Sequence, residues 1–519
     1  MNQTTSFNYF IFIPKFNHHY DLLGDHIFGL CMPMGLVPLA SLANQNGFPS
    51  RLVHLGIERI SGRENNFFER IYKEQPKICA LSLHWHFQSY DVIQTARKIR
   101  QISPETFIVL GGFTASFFHE EIITHYPEIN GIIRGDSEKG IIQLFKSVIH
   151  NDGELSTVSN LTFRQNGRLR INPLNFVAQE EDLARLDYTD FSVMDHHEEY
   201  MNTVSGTWLW VPKLGKFGNK IILSGHNFFP LSISRGCNEC CSYCGGSAMS
   251  QRQINNRNNL TIRPLDSILN TLTALGNYDY QTVYMEFIPF NGQFKFYKNI
   301  FAKIASKPDR HIYLECRSMP PIDIMKAFSK NFGGDKKSYI ALSPECRSER
   351  LRKMNKSGFY SNKQLKNFLR FCEINKCNMV LFGSVWLPGM TAGIIKENYK
   401  WYNSLKRNYR HLNRIIVERI QLDPACPMFM EPEKYNLITN LKSFTDFYHF
   451  HKRSSVIKCD MELGYRDNHF LTDEQFEKMV KTLECNFFCK FQRGKAYKSY
   501  WSFRLFNSWY RCVCNLLKD

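Results

Sequence analysis

The feature that most constrains the fold is an alternation of strand-length apolar runs with amphipathic stretches, which occurs twice along the 519 residues. Such alternation reads as strands joined by helices in a parallel sheet. In the first 150 residues the runs Tyr9 to Ile13, Arg51 to Leu55, Ile78 to Leu83, Phe107 to Leu110 and Gly131 to Ile133 read as strands. Val37 to Gln45, Val92 to Ile102 and Gly140 to Ile149 carry helical periodicity between them. The expectation is an α/β fold that begins with a Rossmann-like, doubly wound domain over 1–150, whose ligands sit at the carboxyl ends of the strands.

The second alternating region runs over 231–423, with strands expected at Leu231 to Ser234, Thr282 to Phe287, His311 to Glu315, Tyr339 to Ser343, Val380 to Val385 and Ile415 to Leu422. Six units suffice for a partial (β/α)6 barrel with its chemistry at the strand carboxyl ends. Residues 151–230 read as a connector, and 424–519 as a small, mainly helical region covering the active site. Two or more cores are also what a chain of this length needs. No apolar run approaches the roughly 18 residues that would cross a bilayer, and the amino terminus lacks the basic flank of a signal peptide, so a soluble, cytoplasmic chain is expected.

Sixteen cysteines are spread along the chain, but four fall within Ser234-Arg235-Gly236-Cys237-Asn238-Glu239-Cys240-Cys241-Ser242-Tyr243-Cys244-Gly245-Gly246-Ser247, directly after an expected strand. One parsing is two adjacent CxxC pairs holding zinc. Zinc pairs are ordinarily separated by a dozen residues or more so that they can face each other across the metal. The other parsing is CxxxCxxC through Cys237, Cys241 and Cys244, with Cys240 a bystander. Three thiolates can hold three irons of a 4Fe-4S cubane and leave the fourth open to an exogenous ligand, whereas electron-transfer clusters are normally held by four.

The CxxxCxxC spacing, with Tyr243 before its last cysteine and Gly245 and Gly246 after it, resembles the radical S-adenosylmethionine (radical SAM) superfamily. Arg235-Gly236, Leu342-Ser343-Pro344-Glu345, Met354-Asn355-Lys356, Leu387-Pro388-Gly389-Met390-Thr391, Leu422-Asp423-Pro424 and Glu431-Pro432-Glu433-Lys434-Tyr435 are similar to its subgroup with an N-terminal cobalamin domain. The resemblance implies a 4Fe-4S cluster on Cys237, Cys241 and Cys244, whose open iron chelates SAM and whose electron cleaves it to a 5′-deoxyadenosyl radical. It also implies SAM contacts from Tyr243, Gly245, Gly246, Glu286, Glu315, Arg317, Ser343 and Glu345. Of these Glu286 stands where the family's usual Gly-Gly-Glu is absent.

In the same light the first domain resembles a cobalamin-binding module, with contacts expected from Gly35, Ser82, Leu83, His84, Gly111, Gly112, Thr114, Gly135, Asp136 and Glu138. No DxHxxG follows the first strand, so no histidine is expected on the lower face of cobalt, and His84 and His86 are read as packing residues. The implied function is methylation of a weakly activated carbon or phosphorus centre, with radical cyclisation or rearrangement on the same cofactors as the alternative. The implied partners are a small-molecule or peptide substrate and an electron donor such as flavodoxin or ferredoxin.

A net charge of +17 favours anionic partners and makes RNA methylthiolation a reading to weigh. That activity resembles this chain in the barrel but needs three further cysteines in the first domain, where only Cys31 and Cys79 precede Cys237. Nucleic acid is therefore not the expected substrate. A zinc-stabilised adaptor for an acidic protein is the non-enzymatic alternative, which metal analysis separates. From Asn486 to Asp519 basic and aromatic residues interleave, and Tyr497, Trp501, Leu505 and Trp509 share one helical face. Such interleaving suits nucleic-acid stacking, a membrane-surface helix or a docking face for a peptide, and the expectation there is a terminal helix packed over the active-site entrance.

Overall fold

A computed structural model describes residues 7–16, 27–203, 209–210, 227–453 and 463–467. The expected aromatic stripe beyond Asn486 and the glycine-bearing stretch Lys213 to Lys220 lie outside the described residues.

The first sheet holds β1 (Asn8–Phe12), β2 (Ser50–His54), β3 (Ile78–Ser82), β4 (Phe107–Gly111) and β5 (Gly131–Ile133), all parallel, in the order β2-β1-β3-β4-β5. The order reverses between β1 and β3, which opens a crevice at their carboxyl ends. All five residues of β1 are buried, as expected for a strand covered on both faces. Helices α1 (Leu36–Gln45), α2 (Ser89–Ile102) and α3 (Glu138–Ile149) belong to this domain. The sheet does not stop near Ile149: β6 (Leu161–Gln165) pairs antiparallel with β5, and β7 (Arg168–Ile171) pairs antiparallel with β6. Part of the expected connector therefore belongs to the first sheet.

The second sheet is six parallel strands in sequence order: β8 (Phe228–Pro230), β9 (Thr282–Phe287), β10 (His311–Cys316), β11 (Tyr339–Glu345), β12 (Asn378–Val385) and β13 (Leu412–Arg419). Sequential parallel order with intervening helices is the topology of an incomplete barrel. Alternate residues of each strand face inward, where Phe228, Tyr284, Tyr313, Tyr339, Ala341, Val380 and Phe382 pack together. Val283, Met285 and Phe287 on the other face of β9 are fully buried in the main apolar core.

Two expectations shift. The first barrel strand is β8, not Leu231 to Ser234, because the chain leaves the sheet after the Leu231 N–H has bonded the Tyr284 carbonyl at 2.8 Å, and Ser234–Arg235 pairs antiparallel with Thr261–Ile262. Second, the described part of the carboxyl-terminal region does not simply cover the barrel. Its helix α5 (Phe444–Arg453) lies on the first domain, where Glu121 accepts the backbone N–H of Phe444 at 2.7 Å and of Thr445 at 2.9 Å. Among the described residues no helix is long and apolar enough to cross a membrane.

Candidate functional site

The strand-end loops of the first sheet face the cysteine loop across a cavity of about 260 Å³. His84, Trp85, Phe113 and Thr114 line it from the first domain, and Cys237, Cys244, Gly245, Gly246, Gln251, Arg317 and Asp423 from the barrel side.

The cysteine loop is held from several directions. The Tyr243 hydroxyl donates to Glu345 Oε1 at 2.7 Å. Ser242 donates through its backbone N–H to the carbonyl of Asn355 at 2.9 Å and through its hydroxyl to Asn355 Oδ1 at 2.7 Å. The N–H of Gly245 donates to Asp423 Oδ2 at 2.9 Å, and a Cβ at position 245 would collide with that carboxylate. After the loop, α4 (Ala248–Asn255) is capped by Ser247.

Backbone amides reach all three thiols of the CxxxCxxC parsing. Cys237 Sγ accepts the N–H of Glu239 at 3.3 Å, and the backbone N–H groups of Ser357 and Gly246 reach Cys241 and Cys244. Amides aimed at sulfur are among the means by which a protein tunes such a cluster. Burial pushes the Cys244 thiol up to about 12, against a lowering by Arg317, so the free thiol is protonated. A coordinating metal deprotonates a thiol outright. Cys237 and Cys244 line the cavity, whereas Cys240 and Cys241 do not; Cys240 is exposed and Cys241 half-buried.

The expected SAM contacts divide into two groups. Gly245, Gly246 and Arg317 line the cavity. Arg317 pairs with Glu286, and Glu315, opposite Glu286 in register, accepts the Tyr284 hydroxyl at 2.5 Å. Burial raises the Glu315 carboxyl, and Glu286 adds to that rise. Ser343 stands at an irregularity of β11 and is half-buried. Glu345 departs from its expected role, because its carboxylate is buried and taken up by Tyr243, Ser384 and Lys356. It anchors the cysteine motif from within.

The expected cobalamin contacts divide similarly. His84 and Thr114 reach the cavity. The N–H and hydroxyl of Thr114 both donate to the His84 carbonyl, at 3.2 and 3.0 Å, and the N–H of Leu83 donates to the Gly111 carbonyl at 2.8 Å. Gly112, at φ +109°, is required by packing, since a Cβ there would lie 2.7 Å from His84 Cα. Ser82 pairs with Gly111 in register, and the Leu83 side chain is fully buried. A Cβ at Gly35 would meet nothing within 4 Å, and one at Gly111 only the Ile133 carbonyl at 3.9 Å, and neither glycine lines the cavity.

Asp136 and Glu138 depart from the expectation of direct contact, being buried in ion pairs with Arg235 and Arg257 of the barrel side. Gly135 sits against α4, where a Cβ would be 3.1 Å from Asn255 Cα.

The two histidines also differ. His84 stacks on Phe113 with ring centroids 4.8 Å apart, and burial lowers its pKa to about 4. His86 does not line the cavity: its Nδ1 lies 2.8 Å from His451 Nε2 on α5, and its Nε2 lies 4.0 Å from Asp423 Oδ1 behind the wall. Sequence reasoning missed Phe113, Trp85, Gln251 and Asp423 as wall residues. Trp85 and Phe113 stand in the strand-end segments after β3 and β4 and Asp423 in its Leu-Asp-Pro triplet, so these three carried a signal and Gln251 carried none. Burial pushes the Asp423 carboxyl up to about 6, and the Gly245 amide works against that rise.

Comparisons with known proteins cover both domains. A family model described as B12 binding domain matches residues 20–144, and one described as Radical SAM superfamily matches residues 231–402. An uncharacterized methyltransferase of Pyrococcus horikoshii is 23% identical over 222 residues, covering 41% of this chain and 40% of that protein. The anaerobic magnesium-protoporphyrin IX monomethyl ester cyclase of Synechocystis is 21% identical over 214 residues, covering 41% of this chain and 38% of its own. The chain thus spans less than half the length of these curated relatives. The structure of the radical SAM methyltransferase TsrM from Kitasatospora setae, with tryptophan and a SAM analogue bound, superposes with a TM-score of 0.65 at 13% identity, over 92% of this chain and 89% of that one. That likeness is one of fold.

Proposed function

The chain belongs to the radical SAM enzymes that carry a B12 binding domain, and from that premise we propose that it is a methyltransferase acting on a weakly activated carbon or phosphorus centre of a small molecule or peptide. The observation that carries the reading is the shared cavity, which His84 and Thr114 enter from the B12 binding domain and Cys237 and Cys244 enter from the barrel. When bound, the cluster with SAM supplies a carbon-centred radical and cobalamin supplies a methyl carrier.

Cys237, Cys241 and Cys244 would hold the cluster, and their amide donors would stabilise the thiolates. Arg317 faces the cavity with a planar fork of donors suited to a carboxylate such as that of a methionyl group. Glu286 holds that fork in place. The aromatic wall of His84, Trp85 and Phe113 keeps water from the side of the cavity facing the first domain. A one-electron donor protein such as flavodoxin or ferredoxin, in the cytoplasm, completes the proposal.

The cyclase among the relatives favours a second reading, a radical cyclisation with no methyl gain. Anaerobic incubation of the loaded protein with labelled SAM and candidate substrates separates the two. Methylation predicts a product heavier by one labelled methylene unit, whereas 5′-deoxyadenosine with an unlabelled product would replace it by cyclisation.

A further inference from the structure

We infer that Asp136 and Glu138 of the B12 binding domain, with Arg235 and Arg257 of the barrel side, form a charge clamp that couples cobalamin binding to the position of the cysteine loop. The inference rests on the family reading that both cofactors bind. Arg235 stands two residues before Cys237 and divides its guanidinium between two carboxylates of the B12 binding domain, at 3.0 Å from Asp136 Oδ1 and 2.5 Å from Glu138 Oε1. Arg257 pairs with the other oxygen of Asp136 and donates to the Ala178 carbonyl at 3.0 Å. The N–H of Ala178 in turn donates to Asp136 Oδ2 at 2.8 Å.

The clamp is built into the stem of the loop. Gly236 has φ +93°, and a Cβ there would lie 2.8 Å from Arg257 Cδ, so the Arg257 side chain packs against the residue between Arg235 and Cys237. The other jaw is fixed by the strand end, where the Gly135 N–H donates to Ser116 Oγ at 3.0 Å and Asn160 Nδ2 donates to the Asp136 carbonyl at 3.2 Å. Asp136, Glu138 and Arg257 are each more than nine-tenths buried. Charges so desolvated hold each other in one geometry, and losing one partner leaves the other uncompensated. Asp136 and Glu138 follow β5 and do not line the cavity, but the Ser116 that holds Gly135 lies on the short helix Phe113–Phe117, whose Phe113 and Thr114 do, so a ligand ordering that wall also orders the cysteine stem. The four side chains are positioning residues.

The test is a linkage cycle, because coupling between two sites is reciprocal. The hydroxocobalamin dissociation constant is measured for the protein with a reconstituted cluster and for the Cys237→Ala/Cys241→Ala/Cys244→Ala protein, each with the clamp intact and with Glu138→Gln. With the clamp intact, loss of the cluster weakens cobalamin binding about 5-fold or more, and Glu138→Gln abolishes that dependence. Arg235→Lys, which keeps the charge but cannot span both carboxylates, reduces it and serves if Glu138→Gln fails to fold. Equal cobalamin affinity with and without cluster in the clamp-intact protein, or a dependence that survives in both clamp variants, overturns the clamp. Iron, sulfide and the corrin spectrum of the parent protein are recorded first. Absence of either cofactor there would overturn the family reading, whereas both present without coupling overturns the clamp alone.

Discussion

Replacing Glu345 by glutamine tests how the cysteine motif is anchored. Glu345 is 5% exposed and sits at φ +59°, a conformation a side-chain-bearing residue adopts only when its surroundings hold it there. Its carboxylate accepts the Tyr243 hydroxyl at 2.7 Å, the Lys356 ammonium at 3.3 Å and the Ser384 hydroxyl. Its carbonyl accepts the Tyr402 hydroxyl at 3.0 Å. Glutamine keeps the shape and the oxygen that Tyr243 uses, and the Ser384 hydroxyl can rotate to suit an amide. The loss is therefore the charge opposite Lys356, whose side chain is 5% exposed. Removing one partner of a buried ion pair costs about 3–5 kcal/mol. Urea denaturation followed by barrel fluorescence, with iron content measured in parallel, should show a loss of that size and a depleted cluster. Removing the stranded cation as well, in Glu345→Gln/Lys356→Met, should recover most of the stability, since apolar replacement of a buried pair is often neutral. A loss under about 1 kcal/mol in the single variant, or a double variant no more stable than the single, would refute the reasoning.

Cys237→Ala, Cys241→Ala and Cys244→Ala should each abolish the cluster while Cys240→Ala retains it, as read by iron and sulfide analysis; retention in Cys241→Ala with loss in Cys240→Ala would reverse the register. Gly112→Ala should destabilise the first domain by about 2–4 kcal/mol, from the cost of φ +109° plus overpacking against the His84 backbone, and should weaken cobalamin binding. His84→Ala and His86→Ala should each leave the Co(II) electron paramagnetic resonance signal of the loaded protein without change; His86 is engaged by His451, and His84 has no hydrogen-bond partner for its ring among the described residues to fix a tautomer for ligation. Burial holds His54, His84, His119 and His197 at about 4 and His86 at about 3, so below the ordinary histidine pKa these five rings bind more protons unfolded than folded, outnumbering the carboxyls of Glu58 and Asp423, raised to about 7 and about 6, which act the other way. Stability should therefore fall as pH drops from about 6.5 toward 4, and an urea midpoint independent of pH over that window would contradict the burial of these rings.

A strand buried on both faces, such as β1, was legible in the sequence because an unbroken apolar run has few other uses. The cysteine spacing was legible because a loop motif is local. Partner choice was not. Asp136 and Glu138 read as ligand contacts because they follow a strand end, yet Arg235, about 100 residues away, claims both. Glu345 likewise read as a SAM contact until Tyr243, 102 residues earlier, took its oxygen. Leu231 and Ile233 alternate like a strand and are buried, but they pack in a loop, because the chain turns after Pro230 to pair with Thr261–Ile262. No local pattern marks such a turn.

The central claim, that the B12 binding domain and the barrel serve one methyl transfer, is tested most directly without a substrate. The anaerobically reconstituted protein, loaded with cobalamin and reduced, is incubated with SAM labelled in its methyl group, and the corrin fraction is separated and analysed by mass spectrometry. The account predicts labelled methyl on the corrin, dependent on SAM and on the loaded protein. Corrin that stays unlabelled while iron, sulfide and bound cobalamin are all present would contradict it.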